Sequence, residues 1–267
     1  MNTFEFTNNE RGEKNIEEKI LSNPAFIRFA GGFELYQNLI HIDGDNNKDL
    51  ITERMLDFYT LKSDNINKNT QQLTEGEELF QIINSTLQEC QKNNFSKSNF
   101  ANRLATSPVA KLFLSEWNRQ EEEVEEESNM IHINELIAYK KESNNEISLH
   151  IRPTGTENIK LFSKIIDGFQ KIGAELETGN IKANKIIMKS WLFNKKMEKK
   201  IKQIFGNEIS IENTPSDDND VTAIQHLALQ YNNKSLKKYL LTGEKPEVKQ
   251  IIMTKDEFIA SFQKINI

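Results

Sequence analysis

The sequence predicts an α/β (α+β) fold, a mixed sheet flanked by helices, preceded by a mostly helical N-terminal region. Three observations predict it. Up to Trp117 the apolar residues recur at helical spacing. From Met130 onward, short β-branched runs alternate with helical patterns, as in a sheet covered by helices. Between the two stands "EEEVEEE", Glu121 to Glu127, whose like charges repel one another and read as a solvated helix end or a linker. The division is therefore set at 1–128 (helical) and 129–267 (α/β).

The helical half is built from short apolar stripes. "FELYQNLI" and "LITERMLDFYTL" read as shorter helices, and "GEELFQIINSTLQEC" aligns Leu79, Ile83, Leu87 and Cys90 on one face. "SPVAKLFLSEW" opens with Ser107 as an N-cap and Pro108 at the first helical position, where a missing N–H costs nothing. Leu112, Phe113 and Trp117 supply its apolar stripe. Asn-rich segments between these helices are too polar to pack.

In the second half "MIHINELIAYK" and "EISLHI", joined by "KESNN", carry a hairpin signal. A helix follows, with Phe162, Ile165, Phe169, Ile172 and Leu176 in line. "IKANKIIMKSWLF" is a strand, apolar at its centre and so central in the sheet. Asn194 can cap the next helix, which Gly206 closes. "EISIE" is a strand, "VTAIQHLALQY" and "SLKKYLL" are helices, and "EVKQIIM" is the last strand. Thr254 and Glu257 form a capping box for the final helix. The predicted order from Met130 is β-β-α-β-α-β-α-α-β-α.

The chain has 267 residues, enough for one large domain or two small ones with a real core. A net charge of −6 gives no general basic surface for nucleic acid. The single cysteine, Cys90, cannot form an internal disulfide, which fits a reducing compartment. "MNTFEFTNNERGEK" lacks the apolar stretch of a signal peptide, and no apolar run approaches the ~18 residues of a membrane span. The expectation is a soluble cytoplasmic protein with neither nucleic acid nor membrane as partner. The helical half is expected to serve as a substrate lid, a homodimer surface or a protein-partner site.

The stretch with most chemistry is "HIRPTGTEN", His150 to Asn158. Thr154 and Glu157 have capping-box spacing, so the turn can simply start a helix. The same turn can cradle an anion. The first helical amides point outward unpaired. Gly155 admits close approach, and Arg152 adds a fork of donors suited to phosphate. "HIDGDNNKDLITE" offers many oxygen ligands, but its glycine and final glutamate are out of register for a calcium loop. The four histidines, His41, His132, His150 and His226, show no zinc spacing. No metal is expected.

Two resemblances follow from these residues. "RPTGTE" resembles the phosphate-gripping loop of the phosphohexomutases, which implies a sugar-phosphate site. No counterpart of their phosphoserine or metal loop is found in this chain. From about Met130 to Met253 the chain is similar to the GNAT-like acyltransferases, through "INELIAYKKESNNEISLHI", "RPTGT", "IIMKSWLFN", "EISIEN" and "LKKYLLTG". This likeness implies a GNAT-like sheet in which the strands "EISLHI" and "IIMKSW" splay and admit the pantetheine arm. It implies acetyl-CoA or another acyl-CoA as co-substrate, held by Ile151, Arg152, Thr154, Gly155, Thr156 and Asn194. The acyl group would pass to a small-molecule or peptide amine.

The family's phosphate signature, Arg/Gln-x-x-Gly-x-Gly/Ala, meets Arg152, Gly155 and, at its last position, Glu157. The candidate catalytic residues are His150, Glu135 and Ser190. His150 is the candidate base, on the strand face opposite Ile147, Leu149 and Ile151. A leaving-group tyrosine, common in that family on the helix after "SWLF", is absent from "NKKMEKKIKQIF", where Phe205 stands instead. The absent tyrosine and Glu157 support an alternative, a GNAT-like binding or interaction protein without catalysis.

Overall fold

The computed structural model describes residues 16–42, 47–66, 70–110, 130–142, 145–151, 161–193, 195–206, 209–215 and 219–263. Its helices are α1 (Pro24–Ile42), α2 (Lys48–Ile66), α3 (Thr70–Gln91), α4 (Lys97–Ala105), α5 (Leu161–Glu177), α6 (Lys195–Phe205), α7 (Asn219–Tyr231), α8 (Asn233–Thr242) and α9 (Lys255–Gln263). The strands are β1 (Met130–His132), β2 (Ile137–Lys141), β3 (Glu146–Ile151), β4 (Lys185–Ser190), β5 (Ile211–Asn213) and β6 (Lys249–Thr254). The chain is α/β, with a helical N-terminal region before a six-stranded mixed sheet. It divides into two units: Met1–Glu122 with Ala228–Lys245, and Glu123–Leu227 with Pro246–Ile267.

The helical unit packs around aromatic rings. Phe33 stacks on Tyr59 at 4.8 Å and Phe26 on Phe100 at 5.2 Å. The stripe Leu79, Ile83, Leu87 and Cys90 is buried, as its spacing predicts. Burial raises the Cys90 thiol pKa to about 12, the mark of a packing cysteine rather than a nucleophile. The first two helices are longer than the sequence suggests, because α1 runs through Gly31 and Gly32 instead of stopping there. Gly32 is needed inside the helix, since a Cβ there would lie 2.6 Å from the Tyr59 hydroxyl. Ser107 turns back, donating Oγ to the Leu104 carbonyl at 2.9 Å. The helix expected beyond it, with Leu112, Phe113 and Trp117, lies outside the described residues, as does Glu121–Glu127.

The division expected near residue 128 does not include a late return to this unit. Leu229, Leu236, Tyr239 and Leu240 belong to the same core as α1–α4. Tyr239 donates to Asp57 Oδ2 at 2.5 Å, and Arg54 Nη1 donates to the Leu240 carbonyl at 2.8 Å, an otherwise unpaired acceptor at the end of α8.

In the second unit the strand order is β1-β2-β3-β4-β6-β5. Only β3–β4 is parallel; the other four pairs are antiparallel. Alternation puts Ile137, Tyr139, Ile147, Leu149, Ile186, Met188, Ile251 and Met253 into one core with Ile165, Phe169, Ile172, Leu176, Ile201 and Phe258 of α5, α6 and α9. "IIMKSW" is central as expected, paired on both sides.

One expectation is corrected. "MIHINELIAYK" is two strands rather than one, so the order begins β-β-β. Asn134 is the reason: its Oδ1 accepts from the Leu136 and Ile137 amides at 2.9 and 2.8 Å, closing an Asx turn. The two capping signals are met. Glu257 Oε2 accepts from Thr254 N at 2.8 Å, and Gly206, with φ +100°, donates to the Lys202 carbonyl at 2.9 Å.

Candidate functional site at the end of the parallel pair

The parallel strands β3 and β4 have their carboxyl ends at the same side of the sheet, where α/β folds place ligands. Their pairing runs Glu146–Lys185, Ile147–Ile186, Ser148–Ile187 and Leu149–Met188 and then stops. Both strands continue. β3 remains paired to β2 through Ile151–Ile137, and β4 to β6 through Ser190–Lys249. His150 and Ile151 therefore share no rung with Lys189 and Ser190. Beyond that last rung each strand stays held on its outer side, β3 by β2 and β4 by β6.

The sheet sorts the predicted site residues onto different faces. His150 pairs with Ala138, which pairs with His132. The pleat puts this row on the face away from the α5–α6–α9 core. His150 is half-buried and Ser148, two residues back on the same face, is buried. Ser190 is buried on the other face, in line with Ile186 and Met188. Its Oγ accepts the Leu192 amide at 3.1 Å, so it caps the strand end rather than joining His150.

Glu135 lies in the β1–β2 turn and forms an ion pair with Lys164 on α5. That turn is docked on α5, since Asn134 Nδ2 donates to the Lys164 carbonyl at 2.9 Å. Asp167 completes it: the Lys171 ammonium, and secondarily the Asn134 amide, hold its carboxyl below the ordinary range. The structure thus separates His150, Glu135 and Ser190. Ile151 is half-buried at the end of β3. Arg152, Thr154, Gly155, Thr156, Glu157 and Asn194 lie outside the described residues, as do Asp43 and Asp45.

The sequence reading missed Lys189. It follows Met188 on β4 and lies on the His150 face, half-buried. Its signal was the alternation Ile186, Met188 against Ile187, Lys189, which the apolar centre of "KIIMKS" conceals. Phe205, on the helix where the resembled family commonly has a tyrosine, is packed at 5.8 Å from Phe169 and 6.1 Å from Phe258.

Among the described residues no cluster of three or more His, Cys, Asp or Glu could hold a metal, and no helix is long and apolar enough to cross a membrane. No family model and no curated protein matches the chain. Among solved structures, the chain is similar to the crystal structure of an acyltransferase in complex with decanoyl-CoA, at 12% identity and a TM-score of 0.31. The match covers 74% of this chain and 61% of the other, so the chain spans less than two thirds of that protein's length.

Proposed function

We propose that the chain is an acyl-CoA-dependent acyltransferase acting on an amine. The observation that carries this reading is the parallel ladder that ends at Leu149–Met188 while both strands run on. In this reading the amide-bearing arm of an acyl-CoA enters between the two strands beyond that last rung. In this reading the turn from Arg152 to Thr156 and the helix start at Asn194 hold the phosphates. His150, one residue beyond the last rung, takes a proton from the amine. A strand amide there stabilises the oxyanion. The acyl-CoA supplies the activated thioester.

A second reading is a binding protein without catalysis. It is favoured by Phe205, a half-buried residue on α6 packed against the core, which offers no proton to a leaving thiolate.

Thermal melting with acetyl-CoA, free CoA and glucose 6-phosphate tests these readings. A ligand at a hundred times its dissociation constant adds about 2.7 kcal/mol, a rise of a few degrees. The expected result is a rise with both CoA species that is lost in Arg152→Ala. A rise with glucose 6-phosphate alone would move the turn to the sugar-phosphate reading. A rise with CoA, but no release of thiol from acetyl-CoA with any amine, would select the binding protein.

A further inference from the structure

The strand that ends at Ile151 and the helix that starts at Leu161 are fastened to the same side chain. Asn134, in the β1–β2 turn, uses both arms of its amide. Its Oδ1 accepts from the Leu136 and Ile137 amides at 2.9 and 2.8 Å. Its Nδ2 donates to the Lys164 carbonyl in the first turn of α5 at 2.9 Å, and to Asp167 Oδ2 at 3.4 Å. Ile137 is held at its carbonyl as well, which accepts from Ile133 N at 2.9 Å and from Asn134 N at 3.2 Å. Ile137 is in turn the residue of β2 that pairs with Ile151. One side chain therefore links the last residue of β3, through Ile137, to the start of α5.

The packing around this link is close. Ile137 is fully buried. A Cβ on Gly168 would lie 2.6 Å from Ile137 Cγ1 and 2.9 Å from Asn134 Nδ2, so α5 reaches this depth only with a glycine there. Lys171 holds Asp167, the second acceptor of Asn134, at 2.9 Å. Glu135, a catalytic candidate in the sequence, belongs to the same cluster through its ion pair with Lys164. A shift of β3 along α5 would break one half of the Asn134 bonds or the other. Such bonds weaken steeply outside a narrow range of distance and angle.

Residues 152–160 join Ile151 to α5 and contain the turn to which the acyl-transfer reading assigns the CoA phosphates. Both ends of that segment are thus set by one residue. We propose that Asn134 is a positioning residue for CoA, fixing the spacing between the end of β3 and the start of α5 and, through that spacing, the affinity for the phosphates. This assignment rests on the acyl-transfer reading. Phosphate held by a helix start and an arginine needs its donors at a fixed separation, because each bond is directional. Asn134 has no part in the acyl-transfer step itself.

The test is the Kd of free CoA, measured by calorimetric titration of the full chain at a temperature where the variants are folded. Asn134→Ala removes both halves of the link. Asn134→Ser keeps an acceptor for the turn but has no second arm for α5. Both should raise the Kd about five- to thirtyfold, the size of one or two hydrogen bonds. Thr254→Ala is the control. Thr254 pairs with Lys185 at the opposite end of β4 and caps α9 through Glu257, so its loss lowers the melting temperature without touching the link. It should leave the Kd unchanged, as any loss of stability alone would. An unchanged Kd in Asn134→Ser overturns the assignment, whether or not Asn134→Ala folds. So does an equal rise in Thr254→Ala. No binding of CoA by the wild type removes the acyl-transfer reading, and this assignment with it.

Discussion

At the scale of single residues, two neighbouring glycines on α1 have opposite roles. A Cβ on Gly31 would meet open space, whereas one on Gly32 would strike the Tyr59 hydroxyl, itself fixed by donation to the Phe29 carbonyl at 2.7 Å. Gly31→Ala should therefore stabilise the chain by about 0.5–1 kcal/mol, the usual gain in a helix interior. Gly32→Ala should destabilise it by about 1–3 kcal/mol through overpacking. Urea midpoints of the two variants check both signs. Tyr239 gives a pH prediction. Burial first, and Asp57 second, hold its phenol well above the ordinary range. Unfolded tyrosine ionises near pH 10. The stability from this group is therefore complete below about pH 10 and is lost as pH rises through the folded value. Wild type should lose stability more steeply above pH 10 than Tyr239→Phe; parallel curves would contradict the pairing.

At the scale of elements, the sheet was largely legible because its strands carry β-branched runs bounded by polar turns. What was not legible came from single side chains acting over distance. Asn134 splits one apparent strand into β1 and β2, and nothing in "MIHINELIAYK" distinguishes an Asx turn from a strand residue that faces solvent. The end of the β3–β4 ladder is set by pairing between segments far apart in sequence, which local periodicity does not encode. Gly168 is a third case. A Cβ there would lie 2.6 Å from Ile137 Cγ1 and 2.9 Å from Asn134 Nδ2, so the glycine lets α5 lie directly on β2 and its turn. Gly168→Ala should cost about 1–3 kcal/mol despite better helix propensity, read as a lower urea midpoint. It should also weaken the docking of the turn that carries Glu135, read as faster amide exchange at Leu136 and Ile137.

At the scale of the whole molecule, "SLKKYLL" reads correctly as a helix, but its core partners are α1–α4, not the sheet that flanks it in sequence. Amphipathic spacing shows which face of a helix is buried, never against what. A fragment 1–128 should accordingly lack a cooperative melt, because Leu236, Tyr239 and Leu240 are missing from its core. In the full chain Leu236→Ala should cost about 2–5 kcal/mol. A sharp two-state transition for the fragment would contradict this. The candidate site was legible only in part. His150 and its face followed from alternation, Lys189 was hidden in an apolar run, and Arg152 to Thr156 were singled out as a turn lying outside the described residues. The central claim is that the stretch beyond Leu149–Met188 takes the pantetheine arm of an acyl-CoA. Amide hydrogen exchange with and without acetyl-CoA tests it most directly. Slowed exchange at His150, Ile151, Lys189 and Ser190, with Glu146–Leu149 unchanged, is the predicted result. Unchanged exchange at all four under saturating acetyl-CoA would contradict it.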